Sequence, residues 1–264
     1  MGLMTIDEMR KHRWIVSWSG GKDSTATILL MHKYQIPIDT IVYVRMMWKE
    51  NIPATLPVMT DFIDNAVNTF KEMGYKCLIK ESVPICDITH KVFFKSQDPN
   101  RNGKEYGINA FSRGHCKTTG VKQNTIKKVC KELNIDNVYE MIGYAADETE
   151  RLHRLSDKKQ SIMATLGINE KETFDICKEA NLLSPLYDLG LSRDGCWFCP
   201  NAKKKEKEMI KEQYPWLYAE IEDMAKRTHF PMDNARNCGW NSWLKDEHIF
   251  GLINKEDYAN EENS

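Results

Sequence analysis

The 264-residue chain reads as a doubly wound α/β protein, a mainly parallel sheet with helices on both faces, followed by a small, mostly helical, cysteine-bearing C-terminal part. Three observations predict this. Short β-rich runs alternate with amphipathic segments of helix length, which is the pattern of a parallel sheet with crossover helices. A glycine-containing turn, Ser19 to Ser24, joins the first such run to the first such helix. Beyond Pro185 the pattern changes to a cysteine loop and a charged helix.

The elements follow in order. Trp14 to Trp18 is a β-rich run ending at Ser19-Gly-Gly, and Thr25 to Tyr34 is an amphipathic helix. Asp39 to Met46 alternates Ile, Val and Tyr as a second strand. Met59 to Met73 has helical spacing and ends at Gly74, a residue suited to the left-handed position after a helix. Cys77 to Ile79 begins a third strand. Pro84 to Gly114 is polar and weakly patterned, as expected of an active-site insertion or lid. Val121 to Leu133 reads as a helix, Val138 to Gly143 as a buried strand, and Glu148 to Leu166 and Glu170 to Ala180 as helices. A soft boundary near Ile168 divides an α/β domain, residues 13–168, from a C-terminal helical part, residues 169–264.

The charge balance is even, 37 Lys and Arg against 38 Asp and Glu, which excludes a globally polycationic nucleic-acid wrapper but allows a local basic patch. Met1 to Arg13 has no apolar signal core and no small-residue cleavage site. No run of about 18 apolar residues occurs, the most hydrophobic segment, Ile36 to Trp48, being broken by Asp39 and Arg45. The expectation is a soluble cytoplasmic protein without a membrane partner. In a reducing compartment its eight cysteines are core fillers, metal ligands or catalytic thiols rather than disulfides.

Ser19-Gly20-Gly21-Lys22-Asp23-Ser24 has the chemistry of a phosphate cradle. The glycines let the backbone turn and approach a ligand, and the following helix directs N–H groups at an anion. Ser19 and Ser24 add hydroxyls, and Lys22 adds positive charge. The spacing is not that of the GxxxxGK[ST] loop of the common NTPases.

Val16-Ser-Trp-Ser-Gly-Gly-Lys-Asp-Ser24 resembles the loop of the PP-loop ATP pyrophosphatases, the adenine nucleotide α-hydrolase superfamily. The resemblance implies a five-stranded parallel sheet with the loop at its carboxyl edge. It also implies ATP cleavage between the α and β phosphates with Mg2+, adenylation of a substrate oxygen, and displacement of AMP by a sulfur or nitrogen nucleophile. Lys22 and Asp23 would act in catalysis, and the adenine would lie against backbone near Val44 and Met46. A second segment, Gly143-Tyr-Ala-Ala-Asp-Glu-Thr-Glu-Arg151, resembles the Gly-x-Arg-x-x-Glu-x-x-Arg signature of the phosphoadenosine phosphosulfate reductase branch. Glu148 and Arg151 match, while Ala145 stands where the signature has an arginine, removing one phosphate fork. Asp147 and Glu148 would orient Mg2+ or favour the N-terminus of the next helix. Arg113, Lys117 and Arg151 are candidates for substrate or α-phosphate.

Cys196-Trp-Phe-Cys199 is a CxxC in a loop, and Cys116 lies 80 residues earlier. Two thiolates at this spacing can bind one metal or cluster, with a distant third closing the site. The resemblance implies more: reductases of this branch pair a Cys-Cys with a later CxxC around a 4Fe–4S cluster, and related sulfurtransferases also use cysteine-held clusters, some with only three protein ligands. Here His115 replaces the first cysteine, so Cys116, Cys196 and Cys199 would hold an iron–sulfur cluster with either His115 or an open iron position, or with His115 would hold Zn2+. Cys238, in Asn237-Cys-Gly, is similar to the tail thiol of sulfonucleotide reductases without its flanking Glu and His. Cys77, Cys130 and Cys177 fall on apolar faces and read as core.

Taken with the intact loop, the resemblance implies an ATP-dependent adenylating enzyme, in logic a sulfurtransferase. The alternatives are a thiol-dependent sulfonucleotide reductase and a nucleotide-binding partner subunit with structural zinc. The partners it implies are a nucleotide, an acceptor that is nucleic acid or small molecule, and a sulfur-donor protein; a homodimer is also open.

Overall fold

The structure is a computed structural model that describes residues 2–92, 94, 102–111, 116–133, 139–156, 158–191, 195–200 and 202–227. Its elements in chain order are α1 (Ile6–Met9), β1 (Trp14–Trp18), α2 (Lys22–Lys33), β2 (Ile38–Arg45), β3 (Met47–Lys49), β4 (Ile52–Pro53), α3 (Val58–Glu72) and β5 (Cys77–Glu81). There follow α4 (Lys117–Glu132), β6 (Tyr139–Met141), α5 (Thr149–Leu152), β7 (Lys159–Gln160), α6 (Ile162–Leu166), α7 (Glu170–Glu179), α8 (Lys204–Gln213) and α9 (Pro215–Lys226). Among the described residues no helix is long and apolar enough to cross a membrane.

The described residues form two compact units, each assembled from three stretches of chain. The first comprises the described residues within Met1–Arg45, Thr55–Ser82 and Lys122–Asp194; the second comprises those within Met46–Ala54, Val83–Val121 and Gly195–Ser264. The expected boundary at residue 168 runs along the chain, whereas these units interleave, and α7 belongs to the first.

The first unit is the doubly wound α/β fold expected from the sequence. Its five strands run in the order β5-β2-β1-β6-β7, and every pairing is parallel. β1 is central and dry, with Trp14 and Trp18 fully buried, and β2 pairs with it from Ile15↔Thr40 to Trp18↔Tyr43. Strands covered on both faces read as continuous apolar runs, which is why Trp14 to Trp18 and Ile41 to Val44 show so little alternation. Trp18 packs edge-on to Phe70 of α3, and its indole N–H donates to Thr25 of α2 at 2.9 Å.

The expected helix from Glu148 to Leu166 is three elements instead: α5, the two-residue strand β7 and α6. Two serines break it. The Ser156 carbonyl accepts the Lys159 N–H in a turn, and the Ser161 hydroxyl caps a new helix by accepting the Ala164 N–H. Between them Lys159 and Gln160 add to the sheet edge beside Glu140 and Met141.

The second unit has a hairpin, β3–β4, turned at Asn51 in the left-handed region (φ 64°). Its core is aromatic. Trp48, Phe111, Trp197 and Phe198 are buried, with ring centroids 4.5 Å apart for Phe111–Phe198 and 4.8 Å for Trp48–Phe198. α9 joins this core through Glu220, which accepts from the Trp48 indole at 3.0 Å and pairs with Lys49.

Candidate functional site

Strand order reverses between β1 and β6. Such a switch point opens a crevice at the carboxyl ends of the strands, where open α/β sheets bind ligands. Here it receives Ser19–Ser24 after β1 and Gly143 after β6.

The loop is held by its own hydroxyls. The Ser24 hydroxyl accepts the Ser19 N–H at 3.1 Å, lies 3.0 Å from the Ser19 hydroxyl and donates to the Gly21 carbonyl at 3.1 Å. Gly20 sits at φ 87°, where a side chain is strained, and a Cβ there would stand 2.7 Å from Ile63 Cδ1. Gly21 is the N-cap of α2 and offers no side chain to its first turn. The first N–H groups of a helix have no intrahelical acceptor, so this turn presents donors and the positive end of the helix dipole together.

Two segments distant in sequence, the end of β6 with its loop and the helix α7, close on this turn. A Cβ on Gly143 would lie 2.9 Å from the Ser24 backbone nitrogen, so only glycine lets the end of β6 approach α2 this closely. The Asp147 carboxylate accepts the Glu170 N–H at 3.3 Å, and the Ala146 N–H donates to the Ile168 carbonyl, tying the β6 loop to the start of α7. On α7, the fully buried Thr173 donates to Asp23 Oδ1 at 2.9 Å and Cys177 donates to the Lys22 carbonyl at 3.1 Å. The Lys22 ammonium pairs with Asp23 Oδ1 at 2.6 Å and lies 3.7 Å from Glu170 Oε1. Thr173, Cys177 and Glu170 had no local signature in the sequence; only the Asn169/Glu172 capping box, which fixes where α7 starts, was readable.

The structure thus brings together Ser19, Gly20, Gly21, Lys22, Asp23, Ser24, Gly143 and Asp147. Glu148 and Arg151 engage each other beside them: the Glu148 carboxylate accepts the Ala145 N–H at 3.2 Å and pairs with Arg151, whose guanidinium lies 4.2 Å from the Tyr144 ring centroid. Burial opposes the Arg151 charge, but the hydrogen bond and attraction of Glu148 outweigh it and raise the pKa. Val44 is buried within β2, in register with Lys80 of β5.

Met46, Lys117, Cys116, Cys196 and Cys199 belong to the second unit. The Met46 carbonyl accepts the Ala54 N–H at 2.7 Å, and the Lys117 ammonium lies 5.7 Å from the Tyr106 ring centroid. Trp197 and Phe198 anchor the CxxC loop, the Trp197 indole donating to the Pro53 carbonyl at 3.0 Å. The Cys199 N–H donates to the Cys196 carbonyl, so the half-buried cysteines share one turn. The Cys116 thiol lies 2.8 Å from the Thr118 hydroxyl. Among the described residues no group of three or more His, Cys, Asp or Glu side chains is arranged to hold a metal ion. Arg113, His115 and Cys238 lie outside the described residues.

No protein-family model matches the chain. Two uncharacterized proteins of Methanocaldococcus jannaschii are similar to it. One is 24% identical over 228 residues, covering 85% of this chain and 50% of the relative. The other is 25% identical over 222 residues, covering 80% of this chain and 41% of the relative. The chain therefore spans half or less of the length of these relatives. Among solved structures, it is similar to the U34-tRNA thiolase NcsA from Methanococcus maripaludis with its 4Fe-4S cluster. That match has 17% identity and a TM-score of 0.44, over 90% of this chain and 82% of the other. The NH3-dependent NAD synthetase from Campylobacter jejuni, in complex with the nitrate ion, matches with 14% identity and a TM-score of 0.33, over 84% of this chain and 89% of the other. The Ser-Gly-Gly-Lys-Asp-Ser loop thus follows the central strand of an all-parallel five-stranded sheet and sits at its switch point, the place that the resemblance to the PP-loop ATP pyrophosphatases implies for it.

Proposed function

We propose that this protein uses ATP as a substrate, cleaving it between the α and β phosphates to adenylate an acceptor with release of pyrophosphate. The observation that carries the reading is the Ser19–Ser24 loop at the switch point, its helix turn uncapped by any side chain and packed against Gly143. In this reading Lys22 and the N–H groups of the first turn of α2 bind the β and γ phosphates. Fixed donors aimed at the departing pyrophosphate stabilise the charge that develops on it without reorganising. Arg151, stacked on Tyr144, supplies a second cation in the same unit for substrate or α-phosphate.

Sulfur transfer is the acceptor chemistry we propose, on a nucleic acid or a small molecule, supported by the family resemblance of both motifs and by the paired thiols of Cys196 and Cys199. Their donor chemistry suits two positions of a thiolate-bound cluster or of zinc. Among the described residues no third His, Cys, Asp or Glu side chain is grouped with them.

The ATP reading is tested by following pyrophosphate release from ATP and magnesium across tRNA, DNA and small-molecule acceptors. Release with none of them, despite ATP binding, would leave a nucleotide-binding subunit instead. Metal retention is tested separately, by iron, sulfide and zinc analysis of protein purified without oxygen. The double variant Cys196→Ser/Cys199→Ser is expected to lose most of the bound metal. Unchanged metal content in that variant would remove both thiols from the ligand set.

A further inference from the structure

The N-terminal half of α7 meets the phosphate loop through side chains that no motif accounts for. Thr173 is fully buried, and its hydroxyl stands between two acceptors, Asp23 Oδ1 at 2.9 Å and the Glu170 carbonyl at 2.8 Å. A helix threonine commonly bonds back to the carbonyl three or four residues before it. This one has a charged oxygen within the same reach, and a carboxylate is the stronger acceptor for its single proton. One turn further along the same face, Cys177 donates to the Lys22 carbonyl. α7 therefore grips both the carboxylate of Asp23 and the backbone of Lys22, about 150 residues away in sequence.

The consequence concerns Lys22. Its ammonium is held by the same oxygen, Asp23 Oδ1, that receives the Thr173 hydroxyl. With Asp23 restrained, the lysine's flexible stem is tethered at its charged end beside the donors of the first turn of α2. Without the hydroxyl, the Asp23–Lys22 pair keeps only the long 3.7 Å ion pair of Lys22 with the exposed Glu170 as a side-chain tie to α7, and is free to rotate away.

We propose that Thr173 is a positioning residue for the phosphate loop, acting through Asp23 on Lys22. This rests on the ATP reading for its affinity readout but not for its structural one. The start of α7 is itself pinned by the Asn169/Glu172 capping box and by Asp147, so the threonine is presented from a fixed turn.

The test compares Thr173→Val, which keeps the shape and removes the hydroxyl, with Thr173→Ser, which keeps the hydroxyl. Amide hydrogen exchange of residues 19–25 is followed without nucleotide, and ATP affinity is titrated in the presence of magnesium. In Thr173→Val, exchange of the loop amides is expected to quicken and ATP affinity to fall on the order of tenfold, the scale of one hydrogen bond to a charged group. Thr173→Ser is expected to stay within about twofold of the wild type in both, since the bond to the charged acceptor remains. Thr173→Val indistinguishable from wild type in both measurements would overturn the proposal. So would a serine variant as impaired as the valine one, since packing rather than the hydroxyl would then matter. If the wild type binds no ATP while exchange separates the variants as expected, the ATP reading fails and the positioning role stands.

Discussion

Lys22→Ala is expected to lower pyrophosphate release from ATP by at least about a hundredfold, the scale of removing one group that stabilises a developing charge. The geometry explains why the loss falls on turnover rather than folding. The Lys22 side chain is 15% exposed and pairs with Asp23, whose own side chain is 29% exposed. Its removal takes away two ion pairs near the surface, with Asp23 and with Glu170, each worth at most about 1 kcal/mol. Asp23 keeps its hydrogen bond from Thr173, and the backbone of the turn keeps the Ser19–Ser24 contacts, so no buried charge is orphaned. The cation at the phosphates, by contrast, has no described substitute within the loop. A pyrophosphate assay beside a thermal melt checks both halves of the statement. Release within threefold of wild type would take the lysine out of the mechanism. Lys22→Arg refines the result: it preserves charge but replaces a compact ammonium by a planar fork, and is expected to recover only part of the activity.

Lys22 was legible in the sequence because the motif that carries it is local. Six consecutive residues between a strand and a helix specify a turn, its donors and its charge without reference to the rest of the chain. The same holds for Trp14 to Trp18 and for Met59 to Met73 with Gly74, whose φ of 92° is the left-handed conformation expected there. What escaped was held by pairing alone. Lys159 and Gln160 carry no strand propensity of their own and become β7 because Glu140 and Met141 offer an open edge. Ser161 did carry a start signal, a helix cap, that could have divided the expected long helix. Cys177, on an apolar face in the sequence, is fully buried as expected of core, but its thiol also reaches the loop backbone. Cys77 and Cys130, which share that apolar pattern, are half-buried, with burial raising the pKa of both thiols. The face that Thr173 and Cys177 share is visible in the sequence only as spacing; its partner on α2 is a consequence of the sheet bringing α7 beside α2.

Gly143→Ala is expected to cost more in nucleotide affinity than any change of equal size in the site. The alanine Cβ would lie 2.9 Å from the Ser24 nitrogen and 3.0 Å from both the Asp23 carbonyl carbon and the Ser24 Cα. All three are backbone atoms, so no side chain can turn aside to admit it. Gly143 is not among the glycines with positive φ, so alanine can adopt its backbone conformation and the cost is steric. Gly20 makes the contrast. There the nearest obstruction is the tip of Ile63, which can move, and the strain comes from φ 87° instead. For Gly143 the relief must come from a shift of the end of β6 or of the first turn of α2. β6 is paired on both sides, with β1 and β7, whereas the turn of α2 is secured by a few hydrogen bonds. The turn should therefore yield, carrying Asp23 and Ser24 away from Thr173 and Ser19 and misdirecting the donors that face the ligand. Overpacking of this kind costs about 1–3 kcal/mol of stability, which a domain of this size survives with a lowered melting temperature. ATP affinity is expected to fall at least about a hundredfold, because several donors are displaced together rather than one. Titration with ATP and magnesium, beside a thermal melt of the same preparation, measures the two effects separately. A folded Gly143→Ala protein binding ATP within threefold of wild type would mean that the donors of this turn do not hold the nucleotide.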